Sequence, residues 1–420
     1  MNADLLIHSA AQLCMLPSHA GGPQRGARLG DLGLIADGAV AVQDGHILTV
    51  GPTAEVRARV TARTEIDASG RVVTPGFVDA HTHVVWAGDR AGEFELRLAG
   101  VTYLEIMAAG GGILSTVRAT RAASLEHLIA ETRPRLDRML AHGTTTVEVK
   151  TGYGLTLQDE LKQLEAIDRL NATHPIDLVP TFLAAHAVPP EFAGRPDAYV
   201  DLIVEEMLPV VARRLNGQAP LFCDVFCDEG AFTLAQSRRI LERAKALGFG
   251  LKIHADEFAS LGGTRLAVEL GATSADHLVC TPPDDIALLG QSETIAVLLP
   301  GTPFGLGQAH YAPAQALLEA GAALALATDC NPGTSWCESM PFILALACRA
   351  MRLTPAQALA AATINAAYAV GRGDRVGSLE PGKQADILIH AVPDYRHLAY
   401  RFGTNPVALV IKRGVVIGSA

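Results

Sequence analysis

Nowhere does the chain run for the roughly 18 strongly apolar residues that a membrane-crossing helix needs. The Ala-rich run from Ala314 to Ala327 comes near, and Glu319 and Gly321 break it. No membrane span is expected. Met1-Asn-Ala-Asp-Leu-Leu has no basic stretch ahead of an apolar one, so no secretory signal is read there. Basic charge is scarce: 34 Lys and Arg stand against 44 Asp and Glu, a net charge of −10. That argues against nucleic acid or an anionic membrane as the main partner. The seven cysteines are odd in number and scattered, which fits reduced thiols in a cytoplasm better than a disulfide framework. Cys223 and Cys227 lack partners at zinc-ligand spacing and read as small buried residues. No internal repeat is visible. What remains is a globular composition, 49% apolar and only 19% charged, in which disorder is not expected.

A chain of 420 residues suits one large domain and a smaller one. Residues 1–70 read as a β module. Asp4–His8, Gly38–Gln43 and His46–Val50 are strands, Asp44-Gly45 is a type I′ hairpin signal, and Pro17–Gly33 is a Gly- and Pro-rich loop. From Thr74 onward, apolar strands alternate with helices. Eight strands end at His81/His83, Lys150, Ala185, Phe226, His254, His277, Leu299 and Asp329. Ser124 caps one helix, with Leu125, Leu128, Ile129, Leu136 and Leu140 on one face. Thr156 caps another, with Leu157, Leu161, Leu164 and Ile167 inward. Further helices are expected at Leu234–Leu247, Thr264–Leu270, Ala312–Ala320 and Ala356–Ala369. A second β segment then runs from Gly377 to a hairpin, Val407–Arg413 and Val415–Gly418, around Gly414. The expected fold class is therefore α/β: a (β/α)8 TIM barrel over 71–375, with a small β-sandwich formed by 1–70 and 376–420 together.

The unusual side chains gather where a barrel keeps its active site, at the C-terminal strand ends. Thr74-Pro-Gly-Phe-Val-Asp-Ala-His-Thr-His83 is an apolar strand finishing in two histidines. In extended chain His81 and His83 point the same way. The bland reading is a polar strand end. Against it stand His254 after strand five, His277 after strand six and Asp329 after strand eight. Imidazoles and a carboxylate of this kind can hold a divalent ion and leave room for water, whose pKa the ion lowers to roughly 7. A neighbouring carboxylate can take the proton.

Pro75-Gly-Phe-Val-Asp-Ala-His-Thr-His83, Lys252-Ile-His-Ala-Asp-Glu-Phe258, Asp276-His-Leu278 and Ala327-Thr-Asp-Cys-Asn-Pro-Gly333 resemble the amidohydrolase superfamily of metal-dependent hydrolases. His81–Arg90, Val147–Gly154, Phe182–Pro189 and Asp329–Thr334 narrow the resemblance to a branch that opens an imidazolone ring, and it spans nearly the whole chain. The resemblance implies hydrolysis of 4-imidazolone-5-propanoate to N-formimidoyl-L-glutamate. It implies His81, His83, His254 and Asp329 as ligands of one divalent ion, Zn2+ or Fe2+/Fe3+. It implies substrate contacts at Arg90, Tyr153, His186, Glu257, Asn331, Gly333 and Thr334, with His277, Glu257 and Asp329 acting in catalysis.

The residue types agree with those roles. A propanoate tail calls for a planar cation and phenol or imidazole donors, which Arg90, Tyr153 and His186 supply. A cyclic amide calls for a group at its ring N–H and a donor for its oxygen, which suit Glu257 and His277. Taken singly, Arg90 also reads as a surface ion pair, Tyr153 as a loop tip and Glu257 as an acid at a helix start. His186 likewise reads as a turn residue and His277 as a strand-end filler. Binuclear members of the superfamily carry a modified lysine at the end of strand four. Leu221–Phe226 has none, and Lys150 closes strand two, so one ion is read. No role is read for Gln308 or His310. A hydrolase or deaminase of a neutral cyclic base is the competing enzyme reading, and a metal-binding scaffold without catalysis is the other. A cytoplasmic homodimer taking a small carboxylate-tailed substrate completes the expectation.

Overall fold

The computed structural model describes residues 1–101, 105, 110–214 and 221–419. Five strands open the chain: β1 (Asn2–Cys14), β2 (Leu34–Gln43), β3 (His46–Pro52), β4 (Thr61–Asp67) and β5 (Val72–Pro75). Eight follow: β6 (Phe77–Asp79), β7 (Thr144–Lys150), β8 (Asp177–Ala185), β9 (Phe222–Cys227), β10 (Gly250–Ala255), β11 (Ser274–His277), β12 (Ile295–Leu298) and β13 (Leu324–Leu326). Three close it: β14 (Ile387–His390), β15 (Val407–Lys412) and β16 (Val415–Ser419).

The outer strands form one sheet in the order β16-β15-β14-β5-β1-β2-β3, with β4 also on β1. The length of β1 makes this possible. Its first half pairs in parallel with β4 and its second half with β5, which in turn pairs antiparallel with β14. The two ends of the chain thus meet in one sheet. Val72–Pro75, which the boundary at 71 assigns to the barrel, is paired here instead. Alternation sorts the two faces. Leu5 and Ile7 pack with Val40, Val42, Ile387, Ile389 and Ile411, so both ends of the sheet fold onto one core. Leu6 points the other way, onto Ala39, Ala41, Val56 and Val60. The hairpins at Asp44-Gly45 and Arg413-Gly414 have positive φ at both residues, as a type I′ turn requires.

Strands β6 to β13 stand parallel in chain order, with helices between them, as the (β/α)8 expectation has it. Ser124 and Thr156 cap the helices Leu125–Ala141 and Leu157–Thr173, accepting from the backbone N–H of His127 and Asp159. Two expectations change. The stretch 356–369 is not one helix but two, Pro355–Ala361 and Ile364–Ala369, broken at Thr363. Thr363 turns its Oγ1 back to Leu359 O, and Asn365 reaches the carbonyls of Gln24 and Leu324, bonds that an unbroken helix would not place. Second, His81, His83 and Asp329 lie beyond their strands, because β6 stops at Asp79 and β13 at Leu326. Backbone hydrogen bonds between these two segments close the barrel. Asp329 N donates to His81 O at 3.1 Å and His83 N to Cys330 O at 2.9 Å. Below them, Thr328 donates twice to the buried carboxyl of Asp79. The closing seam runs through three of the four residues read as metal ligands.

Barrel and sheet are tied by Lys412. Its buried Nζ donates to Thr145 O at 2.8 Å, Asp177 at 2.8 Å and Asp386 at 2.6 Å. Breaking a buried ion pair by deleting one partner costs about 3–5 kcal/mol, so Lys412→Met is expected to lose that much stability in urea unfolding. Burial alone would raise the Asp177 carboxyl, but Lys412, Gln384 and Arg413 outweigh it and hold it below the ordinary value. Its contribution is complete above the unfolded pKa of about 4 and is lost as pH falls through the depressed folded value. The gap between wild type and Lys412→Met should therefore narrow below about pH 4.

Candidate active site

Four side chains converge at the barrel mouth. His254 stands in β10, while His81, His83 and Asp329 sit on the seam. The ring nitrogens offered by the three histidines lie within 4.8 Å of one another. His254 Nε2 is 3.3 Å from His83 Nε2, and Asp329 Oδ1 is 3.6 Å from His81 Nε2 and 3.7 Å from His83 Nε2. Burial holds the imidazoles of His81 and His83 well below their ordinary pKa, Lys150 adding to it at His81 and His186 at His83. Both rings are neutral, the ligating form.

The arrangement fits a divalent cation on its own evidence. With the Nδ1–H of His81 donating to Asp276 Oδ2 at 2.6 Å, the lone pair is on Nε2, and that buried atom has no hydrogen-bond partner. A tetrahedral ion with ligands at about 2.0–2.1 Å separates neighbouring ligand atoms by about 3.3 Å. The His83–His254 pair stands at 3.3 Å. Asp329 adopts φ +53°, and the His277-Leu278 pair φ +79° and +63°. Left-handed backbone at non-glycine residues is costly and gathers at functional sites.

On one side of this cluster lie His277 and Glu257, with His277 Nε2 3.5 Å from Glu257 Oε2. The His277 ring is 5.4 Å from that of His81 and 5.2 Å from that of His254. Burial, then His254, keeps His277 neutral. Burial pushes the Glu257 carboxyl well above its usual range, helped by Asp329 and Asp228. Asp228 fixes this turn by accepting the backbone N–H groups of Glu257, Phe258 and Ala259. Burial also raises Asp329 to about 6, against a hydrogen bond from Thr302.

On the other side lie His186, Tyr153 and Arg90. His186 stacks on His83 with centroids 4.8 Å apart, bonds Gly152 O through Nδ1, and is held at a pKa of about 3 chiefly by burial. Tyr153 is no loop tip, being 3% exposed. Its loop is gripped by the carboxylate of Glu160, which accepts from the N–H of Gly152, Gly154 and Leu155. Gly152 has φ +105°, and a Cβ there would meet His186 Nδ1 at 2.8 Å, so only glycine seats the histidine. Arg90 donates from Nε to Glu93 at 2.8 Å and lays its guanidinium across Gly333, where an added Cβ would meet Nη1 at 2.2 Å. Asn331 spends its amide on its own loop, taking the N–H groups of Gly333 and Thr334 and donating to Asp329 O and Thr334 Oγ1. It shapes the turn on which Arg90 rests. Gln308 and His310 are exposed.

The sequence reading missed three supports. One is the set Glu148, Asp224 and Asp276 with Lys252 beneath the histidines. Another is Glu160 behind Tyr153. The third is Arg135, whose guanidinium stacks 3.6 Å over Trp86 while donating to Val84 O and Trp86 O, so fixing the chain just after His83. Each is a buried charge, which the sequence could have signalled only as an interruption of an apolar pattern.

The amidohydrolase family model matches residues 72–417, and a bacterial imidazolonepropionase-like composite-domain model matches residues 38–59. The chain is 59% identical over 420 residues to the imidazolonepropionase of Herpetosiphon aurantiacus, covering 99% of this chain and 97% of that one. Identity to the imidazolonepropionase of Geobacillus kaustophilus is 51% over 417 residues, covering 98% and 97%. Among solved structures, an adenosine deaminase from Xanthomonas campestris with bound zinc superposes with a TM-score of 0.73 at 21% identity, covering 99% of this chain and 93% of that one. The guanine deaminase of E. coli gives 0.72 at 15%, with 99% of each chain covered. At that identity the two deaminases speak for the fold alone. No described helix is long and apolar enough to cross a membrane.

Proposed function

The chain belongs to the amidohydrolase family, and from that premise we propose that it hydrolyses 4-imidazolone-5-propanoate to N-formimidoyl-L-glutamate in histidine degradation. The family is metal-dependent, and His81, His83 and His254 form the ligand group. We further propose that Asp329 completes it around a single ion, Zn2+ or Fe2+/Fe3+. The state of Lys150 supports one ion rather than two. Its Nζ lies 2.8 Å from Glu148 and 2.7 Å from Asp224, locked as an ammonium and unable to become a bridging ligand.

A divalent ion in this site supplies a water of pKa about 7 and polarises the ring carbonyl. The chain's own residues do the rest. Asp329 would accept a proton from the attacking water, and His277, whose ring lies 5.4 Å from that of His81 and 5.2 Å from that of His254, would polarise the carbonyl oxygen or assist that transfer. Water oxygen bonds to the carbonyl carbon, the ring C–N bond breaks, and the freed nitrogen takes a proton. Glu257, whose carboxyl favours its acid form, holds the ring N–H and can give that proton. Arg90, Tyr153 and His186 receive the propanoate, with Asn331, Gly333 and Thr334 shaping the floor. The homodimer stays part of this reading. Val415, Val416 and Ile417, exposed on edge strand β16, offer apolar surface for it, and sedimentation velocity decides.

The observation that supports the substrate assignment is the Arg90 guanidinium held by Glu93 and packed against Gly333, in the loop that follows Asp329. Arg90→Ala is expected to lower kcat/KM for the tailed substrate by roughly 1.5–3 kcal/mol, or about 10–100-fold. Arg90→Lys should also suffer, since lysine has no bidentate fork. An imidazolone without the tail should be poor for wild type and hardly worse for either variant. Unchanged kcat/KM in Arg90→Ala rejects the clamp.

A further inference from the structure

The inside of a (β/α)8 barrel is ordinarily packed with branched apolar side chains. Here the layer beneath the histidines is ionic. Glu148 and Lys150 on β7, Asp224 on β9, Lys252 on β10 and Asp276 on β11 are all fully buried. Lys150 is the hub. Its Nζ donates to Glu148 Oε1 at 2.8 Å and Asp224 Oδ2 at 2.7 Å, and lies 3.5 Å from Asp276 Oδ2. Lys252 stands at the edge, 3.2 Å from Ser274 Oγ and 3.5 Å from Glu148.

The two aspartates around Lys150 each look upward as well. Asp276 Oδ2 takes the Nδ1 proton of His81 at 2.6 Å. Asp224 Oδ2 lies 3.0 Å from His254 Nδ1, and its Oδ1 accepts the backbone N–H groups of His254 and Val225. One ammonium thus fixes two carboxylates: Asp276 holds His81 through its ring Nδ1, and Asp224 holds His254 through its backbone N–H and stands 3.0 Å from its ring Nδ1. A histidine whose Nδ1–H is held by a carboxylate keeps its lone pair on Nε2 and is the better ligand. Without Lys150, three buried carboxylates would share only the peripheral Lys252. A buried carboxylate stripped of its cation turns toward other donors, and that movement would release the imidazole above it.

We propose that Lys150 is a positioning residue for the metal centre, acting through Asp276 on His81 and through Asp224 on His254. This role rests on the metal assignment above.

The test uses the full-length chain loaded with Co2+, with two readouts besides turnover. These are affinity by chelator competition and the visible absorption bands of bound Co2+. Lys150→Met is expected to weaken Co2+ binding by roughly 10–100-fold, the usual cost of removing such outer partners, and to change the bands. Asp276→Asn and Asp224→Asn, near-isosteric, should each weaken binding and perturb the bands through one histidine only. They carry the test if Lys150→Met does not fold. Wild-type affinity and spectrum in Lys150→Met, or in both Asn variants, overturns the positioning role. A wild-type chain that binds neither Co2+ nor Zn2+ overturns the metal assignment itself, and so the two failures are distinct.

Discussion

Replacing His254 with alanine is expected to empty the metal centre and stop turnover together. His254 lies 3.3 Å from His83 through Nε2, contacts Asp224 through Nδ1, and is the ligand farthest from the seam in sequence. Its removal takes away one imidazole and leaves Asp224 without one of its partners, so neither the ion nor its support is retained. Metal polarisation is worth several kcal/mol, and each 1.4 kcal/mol is tenfold, so kcat/KM should drop roughly 10³-fold or more. Elemental analysis of the purified variant and assay with freshly generated substrate should show both losses in parallel. Full metal content with lost activity would take His254 out of the ligand set. Two equivalents of metal in wild type would reject the single-ion reading.

His277→Ala should behave differently, and the contrast is informative. His277 stands over the rings of His81 and His254, yet none of its nitrogens joins the converging ligand atoms. Metal content should stay at the wild-type level while kcat falls roughly 10²–10⁴-fold, the usual share of a positioned acid–base group. Glu257→Gln, measured beside it, should keep metal and fold while weakening both KM and kcat. A His277→Ala protein with full metal and near-normal kcat would remove His277 from the reaction and leave Asp329 as the base.

Much of the centre was legible because a barrel has only one place to put such residues. The strand–helix alternation placed His81, His83, His254, His277 and Asp329 at the C-terminal ends of strands, and the family resemblance supplied the roles expected of them. Exact strand ends were less legible. His81 and Asp329 lie two and three residues past the ends of β6 and β13, and a sequence pattern does not distinguish a paired strand from the loop that leaves it. The ionic floor was illegible for another reason. Lys150 and Asp276 sit 126 residues apart, and a lysine within an apolar strand carries no local mark of the carboxylate that will meet it. The break at Thr363 was hidden likewise. Thr363 and Asn365 lie in an Ala-rich helical stretch with no proline or glycine, and the break goes with the Thr363 bond to Leu359 O and the Asn365 bonds to the carbonyls of Gln24 and Leu324.

The interleaving of β5 between β1 and β14 also puts the sheet on a clock. On the ribosome, β1 to β5 emerge first and all eight barrel strands follow before Ile387–His390 appears. Until then β5 offers an open hydrogen-bonding edge, and Leu5, Ile7, Val40 and Val42 face a core still missing Ile387, Ile389 and Ile411. An exposed edge over an unfinished apolar face is a template for pairing with another chain. A nascent chain halted after the barrel would hold His81, His83 and His254 and still be sticky. The last few dozen codons, far from any chemistry, decide whether what leaves the ribosome stays separate from its neighbours.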